Sequence, residues 1–186
     1  RFRQAVLISF KAASEGQGER RLDAAVIGAS GIEQRSALQS RATALLADAW
    51  SLPESSVLAT GDERTALRGA FPEEDGISLI SGTGMIGLGR DRQGKEHRCG
   101  GWGWMLDGAG SGCGAGHRGW RLALQMADGR RPDHPLRQRM WEQLGCRSHA
   151  DVKAWVVQPS RTAADLAALA PLLVAAADAG LPAAQD

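Results

Sequence analysis

Gly76–Gly119 reads GISLISGTGMIGLGRDRQGKEHRCGGWGWMLDGAGSGCGAGHRG and holds most of the protein's 24 glycines. A β-rich run, Ile77-Ser78-Leu79-Ile80, leads into Ser81-Gly82-Thr83-Gly84, and a second run, Met85–Arg90, leads away. Two strands joined through Gly-Thr-Gly make a tight turn, in which missing side chains let backbone N–H groups point at one spot. Such a concavity binds anions, and the Thr83 hydroxyl adds a donor, so the turn suits phosphate. The same residues also suit a plain β-hairpin whose glycines serve only positive-φ positions. On the turn alone both readings stand.

Outward from this stretch, composition sets the bounds. The chain has 186 residues, enough for one ordinary domain or two small lobes. Its 43% hydrophobic and 23% charged residues describe a soluble globular protein, and a net charge of +1 predicts no strong pull toward nucleic acid or an anionic membrane. Three cysteines, Cys99, Cys113 and Cys146, stand far apart with no CxxC pair, which fits a reducing compartment better than a disulfide framework. The apolar run Leu166 to Ala177 is interrupted by Pro171 and too short to cross a bilayer. No basic-then-apolar leader opens the chain, and the expectation is a cytoplasmic protein. The start at Arg1, already inside a helical pattern, suggests a piece of something longer.

Hydrophobic spacing predicts a helix over residues 1–14, broken by Glu15-Gly16-Gln17-Gly18-Glu19, then a buried strand over 22–29 ending at Ser30-Gly31. A helix over 36–50 ends at Leu52-Pro53, a short strand over 57–59 runs into Thr60-Gly61-Asp62, and a helix over 63–70 follows. This alternation argues for an α/β layer with some parallel strands. Ligands on such sheets gather at strand carboxyl ends, where Ser30-Gly31, Gly61-Asp62 and Gly82-Thr83-Gly84 all fall, which predicts a common cleft. Beyond the turn at 91–94 and a strand over 96–99, helices are expected over 111–127, 135–144, 150–157 and 162–179.

Asp62 follows a strand and a glycine at a helix start. A carboxylate there can accept a proton from a bound hydroxyl, or can cap the helix. In Gly100-Gly101-Trp102-Gly103-Trp104 the glycines allow close backbone approach and the Trp faces suit sugar rings or bases; two core tryptophans on a tight turn are the alternative. Asp107 and Ser111 flank the next helix start, as caps or ligand contacts. The four histidines lack metal-ligand spacing and read as surface or incidental. No Walker-type Gly-x-x-x-x-Gly-Lys-Ser/Thr is present.

The order of these motifs resembles the BadF/BadG/BcrA/BcrD-type ATPase family, closest to its N-acetylglucosamine and glucosamine kinases. The likeness runs from Leu22 to about Ala184 and includes DVKAWV and DLAALAPLLVAAADAG in the tail. It implies an α/β, actin/hexokinase/Hsp70-like fold of two RNase H-like lobes with ATP and sugar in the cleft between them. On that pattern residues 1–75 are the remainder of the first lobe, and 76–186 start the second. The resemblance makes Asp62 the base that activates a sugar hydroxyl and Gly82-Thr83-Gly84 the second phosphate loop. It puts Ser30, Gly31, Gly101, Trp102 and Asp107 at the sugar. ATP with Mg²⁺ is the implied cofactor, an amino sugar the substrate, a homodimer an open option, and no metal site is expected among the side chains.

The chain departs from the family in places. Where the family has Gly-Asp-Glu-Gly-Ser, it has Asp107-Gly108-Ala109-Gly110-Ser111, so the sugar-contacting Asp is shifted by one and the Glu is Ala109. Met85 stands for the Ser that follows Gly-Thr-Gly, and Cys113, Gly114 and Ala115 replace bulky residues. The family's opening Asp-Gly-Gly-x-Ser/Thr hairpin and its adenine-side glycine motif do not occur, so the chain reads as a central fragment with an incomplete first lobe and an exposed sheet edge. Two rival functions follow: a sugar-binding or regulatory remnant without turnover, and an ATPase activator with an iron–sulfur cluster.

Overall fold

The structure, a computed structural model, describes residues 2–15 and 22–185. It divides into two compact units, Arg1–Ser78 with Leu88–His97, and Leu79–Gly87 with Arg98–Asp186. The glycine break expected at 15–19 lies, from residue 16 on, outside the described residues.

In the first unit α1 (Phe2–Ser14) precedes β1 (Ala25–Gly28), α2 (Ala37–Trp50) and β2 (Val57–Thr60), with α3 (Asp62–Ala70) after them. The two strands pair in parallel, Ala25 opposite Val57 and Gly28 opposite Thr60, so β1-α2-β2 is a crossover unit. The Ser36 side chain caps α2 by accepting from the Gln39 amide, and Ser51 in the left-handed region ends it. Ala42, Leu46 and Ala47 of α2 close over Val57, Ala59 and Ile32 to form this unit's core. Two side chains of α2 also serve β2: Gln39 Nε2 donates to the Ala59 carbonyl at 2.8 Å, and Thr43 Oγ1 accepts from the Ala59 amide at 3.3 Å. The expected strand over 22–29 is shorter and one-sided. Val26 is 65% exposed and its partner Leu58 47%, because α2 covers only one face of the pair.

Three strands, β3 (Gly76–Ser81), β4 (Met85–Arg90) and β5 (Glu96–Gly100), form a sheet in that order, divided between the units as above. The connections at 82–84 and 91–95 are too short for crossovers, so the strands run antiparallel. Asp91 organises the second turn, its Oδ1 accepting from the amides of Gln93 and Lys95. Arg90 ties β4 to the turn before β3 through the Phe71 and Glu74 carbonyls.

The second unit is helical beyond β5: α4 (Gly112–Ala127), α5 (Pro135–Gln143), α6 (His149–Val156), α7 (Ala163–Ala167), α8 (Ala170–Asp178) and α9 (Pro182–Gln185). Its core sets Trp120, Ala123 and Met126 of α4 against Met140, Trp155, Leu169 and Leu173. The single helix expected over 162–179 is two. Leu169 turns back onto the Leu166 carbonyl, and Pro171, without an N–H, sits in the first turn of α8. His134 is not incidental either: its Nδ1 accepts from the Leu136 amide at 3.1 Å and caps α5. Among the described residues no helix is long and apolar enough to cross a membrane.

Candidate functional site

In the second unit the Ser81–Gly84 turn is fastened to the start of α4. The Gly112 amide donates to the Gly82 carbonyl at 2.7 Å and the Cys113 amide to the Thr83 carbonyl at 3.1 Å. Ser111 caps the helix, its Oγ accepting from the Gly114 amide at 3.0 Å while donating to the Gly108 carbonyl at 2.6 Å. The Ala115 amide donates to the Ser111 carbonyl at 2.9 Å. All four opening amides of α4 are therefore used by protein, and the helix end has none to offer an anion. The turn itself does. Gly82 N–H is spent on the Gly84 carbonyl, but the amides of Thr83 and Gly84 have no acceptor among the described residues, and Thr83 is exposed.

This geometry bears on both readings of the turn. Gly82 and Gly84 do not take left-handed φ, and a Cβ at either would meet nothing within 4 Å. Neither conformation nor packing calls for glycine there, so the plain-hairpin explanation does not account for them. Clear space beside two open amides is what a phosphate oxygen needs.

The Gly100–Gly103 loop does need its glycines. Gly100, Gly101 and Gly103 have φ of 73°, 73° and 91°, and a Cβ at Gly101 would lie 2.8 Å from Ile86 Cδ1 and 3.0 Å from Arg98 Nη2. Arg98 donates to the Gly101 carbonyl at 2.7 Å and holds its guanidinium 5.7 Å from the Trp102 ring centre. The core reading of the tryptophans fails: Trp102 is 71% exposed and Trp104 40%. Asp107 is half-buried, its amide bonded to the Gly103 carbonyl, its Oδ2 3.5 Å from where a Gly100 Cβ would be. Met85 reaches the same place, with Cε 2.9 Å and Sδ 3.1 Å from that point, and Cγ 3.7 Å from a Cβ at Gly110. Ser81 Oγ donates to the Gly110 carbonyl at 2.6 Å. Met85, directly after Gly82–Gly84 in the chain, thus meets Asp107 at Gly100, where the loop carrying Gly101 and Trp102 begins. On the far side of the loop a groove of about 1000 Å³ opens between Trp104–Leu106, the first turns of α4, and Leu166, Ala170 and Leu173.

In the first unit the Ala29 amide donates to the Thr60 carbonyl at 3.0 Å, which aligns the ends of β1 and β2. Ser30 and Gly31 are exposed there in a tight turn closed by Ile32 N–H on the Ala29 carbonyl. Asp62 starts α3 at the end of β2. Gly61, not Asp62, is the N-cap, so the capping role is overturned: the Asp62 carboxylate takes no hydrogen bond among the described residues. The neighbouring Glu63 is buried, bonded to Arg64, which also bonds Glu96 in β5. Sequence reasoning missed this trio, since residues 64 and 96 are joined only by the fold.

Cys113 is buried at the start of α4 and burial pushes its thiol up, away from the reactive thiolate; Cys146 is likewise buried, and Cys99 is exposed.

The first unit is a parallel crossover with a carboxylate at a strand end and the second holds a glycine turn with two open amides, each a feature of α/β ligand-binding proteins. Residues 5–186 match the BadF/BadG/BcrA/BcrD ATPase family, and the chain belongs to it. It is 32% identical over 113 residues to an N-acetylmuramic acid/N-acetylglucosamine kinase of Clostridium acetobutylicum, a match covering 61% of this chain and 37% of that protein. With an N-acetyl-D-glucosamine kinase of Dictyostelium discoideum it shares 37% identity over 84 residues, 45% of this chain and 26% of that one. The crystal structure of a candidate N-acetylglucosamine kinase from Chromobacterium violaceum superposes with a TM-score of 0.77 at 30% identity, covering 97% of this chain and 61% of its own. A Porphyromonas gingivalis structure at 21% identity, TM-score 0.70, covering 96% of this chain and 57% of its own, shares the fold. The chain therefore has the actin/hexokinase-like ATPase fold that its sequence resemblance implied. It spans less than two thirds of the length of each of these relatives.

Proposed function

We propose that the protein is, or is part of, an ATP-dependent kinase that phosphorylates a hydroxyl of an amino sugar. The observation that carries this is the Ser81–Gly84 turn, whose Thr83 and Gly84 amides are open while its carbonyls anchor α4, in a chain of this family. The names of its relatives support N-acetylglucosamine or N-acetylmuramic acid as the substrate class, with glucosamine a further candidate from the sequence resemblance. Thr83 and Gly84 donate to phosphate oxygens, the Thr83 hydroxyl adding a third donor. Asp62, unbonded at the head of α3, accepts the proton of the attacking sugar hydroxyl. Ser30, Gly31, Gly101, Trp102 and Asp107 contact the sugar, Trp102 offering a ring face and Asp107 a carboxylate for hydroxyls. Mg²⁺ would accompany the nucleotide phosphates and offset their charge. The assignment of 1–75 and 76–186 to two lobes, and a cytoplasmic place of work, belong to the same reading.

The test is phosphate transfer from ATP to a panel of amino sugars by the wild-type protein and Asp62→Asn. The expected result is a kcat lower by roughly 10²–10⁴-fold in the variant. Undiminished turnover would remove Asp62 as base. A second reading, sugar binding without turnover, is favoured by Gly108, Ala109 and Met85, where the family motif has Asp, Glu and Ser. It expects calorimetric binding of the sugar and no ATP consumption.

A further inference from the structure

The first turn of α3 is held by a buried ionic group that the phosphoryl-transfer reading does not use. The Glu63 side chain is 7% exposed and that of Arg64 14%. Arg64 Nη1 bonds Glu63 Oε1 at 2.6 Å and Arg64 Nε bonds Glu96 Oε2 at 3.0 Å. One guanidinium therefore serves two carboxylates, one beside it on the helix and one at the start of β5. The Glu63 carboxylate folds back over the helix start: a Cβ at Gly61 would lie 2.1 and 2.3 Å from its two oxygens. Gly61 is thus the one residue type that leaves this carboxylate its place, next to the positive end of the helix.

Asp62 sits between Gly61 and Glu63, within this group, and contributes nothing to it. Its peptide carbonyl is held by Thr65 Oγ1 at 2.8 Å, and the Gly61 carbonyl takes the amides of Arg64 and Thr65. The backbone on both sides of Asp62 is fixed, while its carboxylate is left unbonded. That is the arrangement of a side chain kept aimed by its neighbours.

We propose that Arg64 is a positioning residue for Asp62: by bonding Glu63 and Glu96 together it locks the first turn of α3 onto β5 and fixes where the Asp62 carboxylate points. The proposal rests on the kinase reading for its functional consequence and on geometry alone for the lock. Lysine at position 64 keeps the charge but has one nitrogen in place of the fork, so it cannot hold both carboxylates in line. The two halves are tested separately.

For the lock, amide hydrogen exchange is compared in wild-type protein, Arg64→Lys and Glu96→Gln. Faster exchange is expected across residues 63–67 in both variants, with α2 and β1 unchanged; unchanged exchange in the first turn of α3 overturns the proposal. For the consequence, Arg64→Lys is expected to lower kcat by about 10–100-fold with the sugar KM kept within about threefold, as a misaimed base does. In an Asp62→Asn background the same substitution is expected to cost nothing more, because both act through one carboxylate. Additive losses, or a change in KM alone, overturn the positioning role. If the wild-type protein transfers no phosphate, the kinase reading falls while the exchange data still decide the lock.

Discussion

Glycine does opposite jobs at two places in this chain, and substitution separates them. At Gly114 a Cβ would stand 1.9 Å from the Gly108 carbonyl oxygen and 2.7 Å from its carbon, both backbone atoms that cannot step aside cheaply. Gly114→Ala is therefore expected to destabilise the second unit by about 1–3 kcal/mol, read by chemical denaturation. At Gly84 neither φ nor neighbours oppose a methyl group. Gly84→Ala is expected to leave the denaturation midpoint within about 0.5 kcal/mol of wild type. If nucleotide phosphates approach the turn, the same methyl obstructs them, and the thermal shift produced by added ATP should shrink. A stability loss at Gly84 would mean that the turn needs glycine for itself. From sequence the two glycines look alike. Only the position of the Gly108 carbonyl tells them apart.

At the scale of elements, helix ends carry much of the definition. Asp151 accepts from the Arg147 and Ser148 amides in a capping box at α6, and Asp165 from the Thr162 amide and hydroxyl at α7. These bonds hold both carboxyls below the ordinary carboxylate range, the backbone amides being the main cause. A depressed folded-state pKa means the caps stabilise above the unfolded value of about 3.9 and lose that contribution as pH falls through the lower folded value. The Tm gap between wild type and Asp151→Ala/Asp165→Ala is expected to stay constant from about pH 6 to 8 and to close in acid as pH falls through the lowered folded-state values. A gap that persisted there would mean the side chains act by packing. The helices over 150–157 and 162–179 were expected without these Ser-x-x-Asp and Thr-x-x-Asp caps, whereas the strands flanking Gly82–Gly84 were readable in the sequence. The break at Leu169 was not, since an Ala/Leu run has no period and Pro171 is as much at home inside a first turn as beyond a last one. His134 was unreadable as a cap for a similar reason: imidazole is a rare N-cap, and only the orientation of its Nδ1 makes it one.

Across the whole molecule the α/β order and parallel pairing were legible because β1 and β2 are short, apolar and closed by nearby glycines. Burial of the strands was misjudged. Apolar content says that a face can be covered, and in β1 and β2 only the α2 side is. The uncovered Val26 and Leu58 lie opposite one another in register. Val26→Thr with Leu58→Gln is expected to lower dye binding to apolar surface and slow aggregation, with little change in Tm. A large fall in Tm would show that these side chains are packed in solution. The free edge of β2, by contrast, is guarded: Gln39 and Thr43, one helical turn apart, occupy both polar groups of Ala59. Of the candidate site, residue types were legible and interactions were not. Asp62 and Thr83 could be named from their surroundings in sequence, whereas the Arg64 fork exists only once α3 meets β5, and the Met85 wedge only once β4 and β5 lie side by side.

The fastening of the Ser81–Gly84 turn to α4 bears on how fast and how selectively it can capture a ligand. Because Gly112 and Cys113 hold the turn by its carbonyls, its open amides are ordered when the protein folds rather than when an anion arrives. Little chain entropy remains to be lost on binding, so capture should proceed at the rate of encounter, without a slow rearrangement afterwards. A rigid two-amide notch also discriminates. A tetrahedral oxyanion can meet both donors at once, whereas a spherical halide satisfies them less well, and inorganic phosphate should outcompete chloride there even at high salt.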